Sequence, residues 1–234
     1  MGFSKLVIKM KIIPVIHVID FEQTYKNAHL CMQKGCDHFM LINMSIDTED
    51  LLNTFIYIQT LLPEAKIGLN LLGYNSFEAM KYISDRELTP YSIWSDSAGI
   101  RNLDDLIFIQ EVTNYKKENK FIKDSVYFGG VDFKYQKPID INNKEAVYKE
   151  SMKHMDVITT SGIATGKAPT TYKIEQFRKA IGDFPLAIAS GINVDNINSF
   201  SKLVDYGLVA SSITDYKTEL IQENLFDNLL NKIV

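Results

Sequence analysis

Only two cysteines occur in 234 residues, Cys31 and Cys36. They make no zinc pattern with the four histidines, and two thiols on one predicted helix and its end are no disulfide framework. Long apolar runs are missing as well. No stretch approaches the ~20 residues a bilayer-spanning helix needs. Residues 1–11 hold two short apolar groups split by lysines, too broken for the core of a secretory signal. Nor is there a basic cluster. Lys and Arg number 25 against 29 Asp and Glu, spread along the chain, for a net charge of −4. That pattern speaks against a nucleic-acid surface. These absences predict a reduced, cytoplasmic chain with no membrane insertion and no nucleic-acid partner. No linker, low-complexity tract or charge block divides it, so residues 1–234 are expected to form one domain, with a homo-oligomer left open.

What is present is apolar and periodic. A hydrophobic fraction of 46% is enough for a large core. Strand-like runs are predicted at 12–18, 38–43, 66–72, 91–95, 125–134, 156–160, 186–190 and 207–211. Several are almost continuously apolar, as suits parallel strands covered on both faces. Helix-like periodicity fills the intervals at 21–34, 48–62, 76–88, 103–118, 143–155 and 172–181, with a shorter helix at 194–203 and a closing one at 220–233. Eight β/α units result, and the predicted fold class is α/β, a single (β/α)₈ TIM barrel. A doubly wound open sheet is the competitor. Against it, no Gly-x-Gly-x-x-Gly follows the first strand, and the phosphate-like signals fall in the last two units.

Those signals are Ala189-Ser190-Gly191-Ile192 and Ala210-Ser211-Ser212-Ile213. Each ends an apolar run, about one β/α unit apart. In this fold the loops after strands 7 and 8 commonly hold a phosphate. Ser190, Gly191, Ser211 and Ser212 are the expected phosphate ligands. Gly191 would admit the anion to the backbone, and free N–H groups would come from the helix near Val194 and the segment after Ile213. On this reading Gly191→Val blocks the site without unfolding the barrel. The alternative is that small residues simply let the strands pack.

From Gly129 onward the residues resemble the family of the photosystem I biogenesis protein BtpA. The matching runs are 131–134, 156–166, 190–196 and 209–212. They are similar to the family's Asp-Val-Lys, D-x-x-x-x-T-G-x-x-T-G, S-G-x-x-x-x-N and V-G-S-S patterns, with Ala210 where the last has Gly. The N-terminal half is similar at Pro14-Val15-Ile16-His17 and Gly68-Leu69-Asn70-Leu71-Leu72. The resemblance implies a TIM barrel and, through the family's name, a role in assembly.

Asp132 and Lys134 are two apart on the fifth predicted strand and so are expected to share a face at its C-terminal end, where barrel active sites are built. There Asp132 would be a base, and Lys134 would stabilise an oxyanion or form an imine. A structural ion pair is the alternative. Asp96, after Trp94, is a second candidate acid or base, and His17 at the first strand end a proton shuttle. Asn43, Asn70, Thr160, Gly162, Thr165 and Gly166 are expected to bind the rest of the substrate, or else to tie loops together. No metal or cofactor is expected; a magnesium ion on Asp132, Asp96 and a ligand phosphate is the alternative. The predicted function is acid–base or imine chemistry on a phosphorylated small molecule, sugar phosphate or nucleotide-like, by an isomerase or lyase. A non-catalytic assembly or regulatory protein and a phosphoribosyl transferase are the alternatives.

Overall fold

In the computed structural model, which describes residues 10–104 and 106–233, eight parallel strands close into a barrel, each followed by a helix. In chain order these are β1 (Lys11–His17), α1 (Phe21–Gln33), β2 (His38–Ile42), α2 (Thr48–Leu61), β3 (Lys66–Asn70), α3 (Ser76–Asp85), β4 (Ser92–Ser95) and α4 (Ile107–Glu118). Then follow β5 (Val126–Gly130), α5 (Lys144–Ser151), β6 (Val157–Thr160), α6 (Thr171–Ile181), β7 (Leu186–Ala189), α7 (Ile197–Phe200), β8 (Tyr206–Val209) and α8 (Glu223–Leu230). This is the (β/α)₈ fold expected from the eight apolar runs. The broken apolar groups of residues 1–11 lie, apart from Met10 and Lys11, outside the described residues. Among the described residues no helix is long and apolar enough to cross a membrane.

Alternation along each strand sorts the core. Ile13 and Val15 of β1, Met40 and Ile42 of β2, Trp94 of β4, Phe128 of β5 and Leu208 of β8 fill the barrel interior. Their neighbours Ile12, Ile16, Phe39, Leu41 and Ile93 pack outward beneath the helices. Both faces are buried, hence the near-continuous apolar runs. Strand β1 pairs through Lys11–Pro14 with β8 and through Val15–His17 with β2, so Pro14 sits at the changeover between ladders. Helix starts are fixed by side chains that accept the first free N–H groups: Asp20 for α1, Asp47 for α2, Thr170 for α6, and Asn75 with Glu78 as a reciprocal box for α3.

The predicted boundaries need correction at the barrel mouth. Strand β5 was expected to run to residue 134 and stops at Gly130; β3 stops at Asn70. Leu71, Val131 and Phe133 are buried although they lie in loops, so the apolar signal outlasts the ladder. The helix expected at 194–203 is the single turn α7. The one expected at 220–233 begins only at Glu223, because Thr214 and Ile221 pair in an antiparallel bridge around a turn held by Asp215.

At the opposite end of the barrel His38 sits between Tyr91 and Phe128, with Nε2 2.8 Å from Ser92 Oγ. Burial pushes its imidazole down to about 4, against the neighbouring Asp37. The unfolded chain takes up this proton near the ordinary value of about 6.5, the folded one much lower, so stability is complete above that value and is lost as pH falls through the interval. Going from pH 7 to pH 5, the stability gap between wild type and His38→Gln is expected to narrow by about 2 kcal/mol in urea titrations. A gap that does not change with pH overturns this assignment.

Candidate active site at the barrel mouth

The inward-facing series of the strands continues one step beyond their ends and delivers side chains to a cavity of about 110 Å³. Its walls are apolar below, with Val15, Ile42, Trp94 and Leu208, and polar above, with His17, Asp96, Lys134, Thr165, Ser190 and Ser211. A larger open groove of about 860 Å³ lies on the outer helix layer, over α4 and Phe77 of α3. It shares no lining residue with the mouth cavity, and we assign the site to the mouth because acid, base and cation converge there.

Asp96 follows β4, two residues after Trp94, and so keeps the inward direction. Its backbone lies against Gly130, where an added Cβ would come within 1.9 Å of the Asp96 carbonyl oxygen. That carbonyl accepts from Gln136 Nε2 at 2.6 Å, and the carboxylate accepts from Asn70 Nδ2 at 3.2 Å. Burial raises the Asp96 carboxyl above the usual carboxylate range, against the downward pull of Asn70 and Lys134. A carboxyl raised in this way is better matched to proton transfer near neutrality.

Lys134 reaches the cavity from the loop after β5, and its Nζ donates to Thr165 Oγ1 at 3.2 Å. Left-handed backbone at Asp132 and Tyr135, φ 49° and 62°, brackets it. The same turn removes Asp132 from the site. Two residues share a face only while the chain stays extended, and here the strand has ended before Asp132. Its carboxylate takes Lys144 Nζ at 2.9 Å and Tyr148 Oη at 2.7 Å, with Lys173 Nζ at 3.8 Å, and Asp132 does not line the cavity. Burial alone would raise this carboxyl; Lys173, Tyr148 and Lys144 outweigh it and hold the group below its ordinary value. Lys173 also donates to the carbonyls of Asp132 and Ser161, and Thr160 Oγ1 to that of Asp132 at 3.1 Å, stitching the β5 and β6 loops together. Asp132 is thus engaged by three side chains outside the cavity that Asp96 lines. Among the described residues no group of three His, Cys, Asp or Glu is placed to hold a metal.

His17, at the end of β1, has Nδ1 3.1 Å from a carboxylate oxygen of Glu219. Glu219 comes from the long β8–α8 connection at φ 50°, its carbonyl gripped by Gln23 and Asn27 of α1. A carboxylate at Nδ1 orients the ring and leaves the other nitrogen for a ligand. Sequence reasoning missed this partner, and no local motif marks it. Trp94, read only as an apolar strand residue, was also missed. Asn43 does not line the cavity: its Oδ1 accepts from Leu72 N at 2.7 Å and its Nδ2 donates to Thr48 at 3.3 Å, joining the loops after β2 and β3.

The small-residue loops also separate. Ser190, Gly191 and Ser211 line the cavity together with Thr165 and Gly166. Gly162 and Ser212 do not; Ser212 Oγ is buried with no hydrogen-bond partner among the described residues. Gly191, at φ 72°, has a packing duty: an added Cβ would lie 2.0 Å from Ala168 N. Gly191→Val would displace the β6–α6 loop, contrary to the expectation of a simple block. The expected contribution from a helix near Val194 is also absent. Asn193 Oδ1 accepts the N–H groups of Asp195 and Asn196 before the single turn of α7 begins.

No protein-family model matches the chain, and no curated protein does. Solved structures do. Phosphoribosyl anthranilate isomerase from Thermus thermophilus superposes with a TM-score of 0.63 at 10% identity, covering 95% of this chain and 98% of that one. Thiamine phosphate pyrophosphorylase from Pyrococcus furiosus gives 0.60 at 13%, covering 98% and 100%. Orotidine 5'-monophosphate decarboxylase from Sulfolobus solfataricus gives 0.60 at 14%, covering 96% of each. At such identities the likeness is one of fold, and the chain is similar to these TIM barrels over nearly its whole length.

Proposed function

We propose that the chain is an enzyme that binds a phosphorylated small molecule at the barrel mouth and isomerises or cleaves it at a carbonyl. The observation that carries this reading is the convergence of Asp96, Lys134 and His17 with Ser190, Gly191 and Ser211 on one cavity. Asp96 as carboxylate takes a proton from the carbon beside the carbonyl. The C–H electron pair moves through the new C=C bond, and the carbonyl pair goes to oxygen, where Lys134 stabilises the developing charge. His17, held by Glu219, moves the proton between the two oxygens. Return of the carbon proton to the neighbouring carbon completes an isomerisation. The names of the superposed structures, an isomerase and a decarboxylase of phosphorylated compounds among them, agree with this class of chemistry. Kinship with the BtpA family is part of the same reading; the runs that suggested it supply Lys134, Thr165, Ser190 and Ser211 to the cavity.

The anion is testable without knowing the substrate. Ser211 is exposed on the cavity rim, so a carboxylate there meets the phosphate without disturbing the core. Like charges a few ångströms apart cost about 1–4 kcal/mol in partly screened surroundings. Inorganic phosphate, measured by calorimetry at fixed ionic strength, is expected to bind Ser211→Asp at least about tenfold more weakly than wild type. Equal affinities in the two folded proteins contradict the assignment.

A further inference from the structure

Trp94 is the one tryptophan of the chain and faces the barrel interior from β4. It lines the floor of the mouth cavity, 6% exposed, yet among the described residues its Nε1–H has no hydrogen-bond partner. An indole N–H can only donate, and a buried donor left unpaired is an exception that needs a cause. The side chains around it offer none: Val15, Ile42 and Leu208 are apolar, and Phe133 meets it edge-on with ring centres 6.3 Å apart. Along the same face the polar neighbours are Ser92, two residues below and engaged with His38 and Met40, and Asp96, two residues and about 6–7 Å further up the strand direction. The mouth thus presents, from floor to rim, a vacant donor, an acid–base pair and the serine loops. Its volume of about 110 Å³ is well under the ~300 Å³ at which pockets begin to enclose drug-sized ligands.

We propose that Trp94 determines specificity by donating its indole N–H to an oxygen at the inner end of a short phosphate monoester, a hydroxycarbonyl compound of about three or four carbons whose phosphate lies at the serine rim. This rests on the phosphate reading above and narrows it: a nucleotide base would not fit beneath Asp96. A ligand without the inner oxygen leaves the donor unpaired and forfeits its contribution, about tenfold in affinity for one neutral hydrogen bond into a site otherwise dry.

The test uses inorganic phosphate, dihydroxyacetone phosphate, n-propyl phosphate and adenosine 5'-monophosphate. With one tryptophan, the indole N–H gives one cross-peak in a ¹⁵N–¹H spectrum of the wild-type protein. Dihydroxyacetone phosphate is expected to move that peak downfield and n-propyl phosphate to leave it nearly in place. By calorimetry, the preference for dihydroxyacetone phosphate over n-propyl phosphate is expected to fall about tenfold in Trp94→Phe. Inorganic phosphate should bind both proteins equally. An unmoved indole peak at saturation overturns the proposal even if the variant fails to fold. So does an unchanged preference in the variant, or adenosine monophosphate binding as tightly as the three-carbon ligand. If inorganic phosphate does not bind the wild type at all, the phosphate reading fails first and this inference with it.

Discussion

On the phosphorylated carbonyl substrate proposed above, the Lys134→Met protein is expected to turn over at least about 10²-fold more slowly than wild type, the usual effect of deleting one donor to a developing oxyanion. Asp96→Asn, which removes the proton acceptor, is expected to lose about 10²–10⁴-fold. The pH profile separates these roles from mere packing. Burial raises Asp96 and Lys134 pulls it down. The carboxylate form needed for proton abstraction is therefore lost as pH falls through a value above the ordinary carboxylate range. Removing the Lys134 charge should move that acid limb to still higher pH, since the downward pull is gone. Steady-state rates across pH 4–8 with a substrate found by screening phosphorylated metabolites measure both effects. Two folded variants with full turnover, or a limb that stays in place, would sink the assignment.

Asp132→Ala is expected to cost stability. The side chain is only 13% exposed and holds Lys144, Tyr148 and Lys173. Deleting it leaves two ammonium groups facing each other without their anion, a loss of about 3 kcal/mol for a largely buried pair. For a domain of this size that is roughly 6–12 °C in melting temperature. The carboxyl is held below its ordinary value, so its contribution is complete above the unfolded value and disappears as pH falls through the folded one. The deficit of the variant should thus be full at pH 7 and vanish only at pH values below about 4. Asp132→Asn, which keeps the shape, should show the same pH dependence at smaller size. A variant as stable as wild type at pH 7 that has nevertheless lost all turnover would restore Asp132 to the chemistry.

The contrast between Asp132 and Lys134 shows what was legible in the residues and what was not. Eight buried parallel strands announce themselves, because a strand covered on both faces must be apolar throughout. The barrel could therefore be read directly. The last ladder hydrogen bond could not. Phe133 and Val131 are buried for the sake of loop packing, and they prolong the apolar signal past Gly130. Alternation was then extrapolated across a residue at positive φ, which turned a structural aspartate into a candidate base. Asp96 was easier, since it stands one residue beyond its strand. Glu219 had no signal of its own: it matters only because the end of the chain folds over the end of β1. Trp94 was legible as core, but nothing in the residues around it in sequence foretells a donor without a partner.

Seven of the eight strand ladders join neighbours in the chain; the eighth joins Lys11–Pro14 to residues 206–209. In loop-closure entropy this seam costs only about 2 kcal/mol more than closing one 30-residue unit. Its cost is one of timing. A nascent chain can pair β1 through β7 as the ribosome delivers them, but until β8 emerges the sheet carries two raw edges, each a template for another unfinished copy. The same last segment brings Glu219 to His17. A chain interrupted before residue 206 is thus not a smaller barrel with a weaker site. It is an open sheet whose two unpaired edges invite self-association.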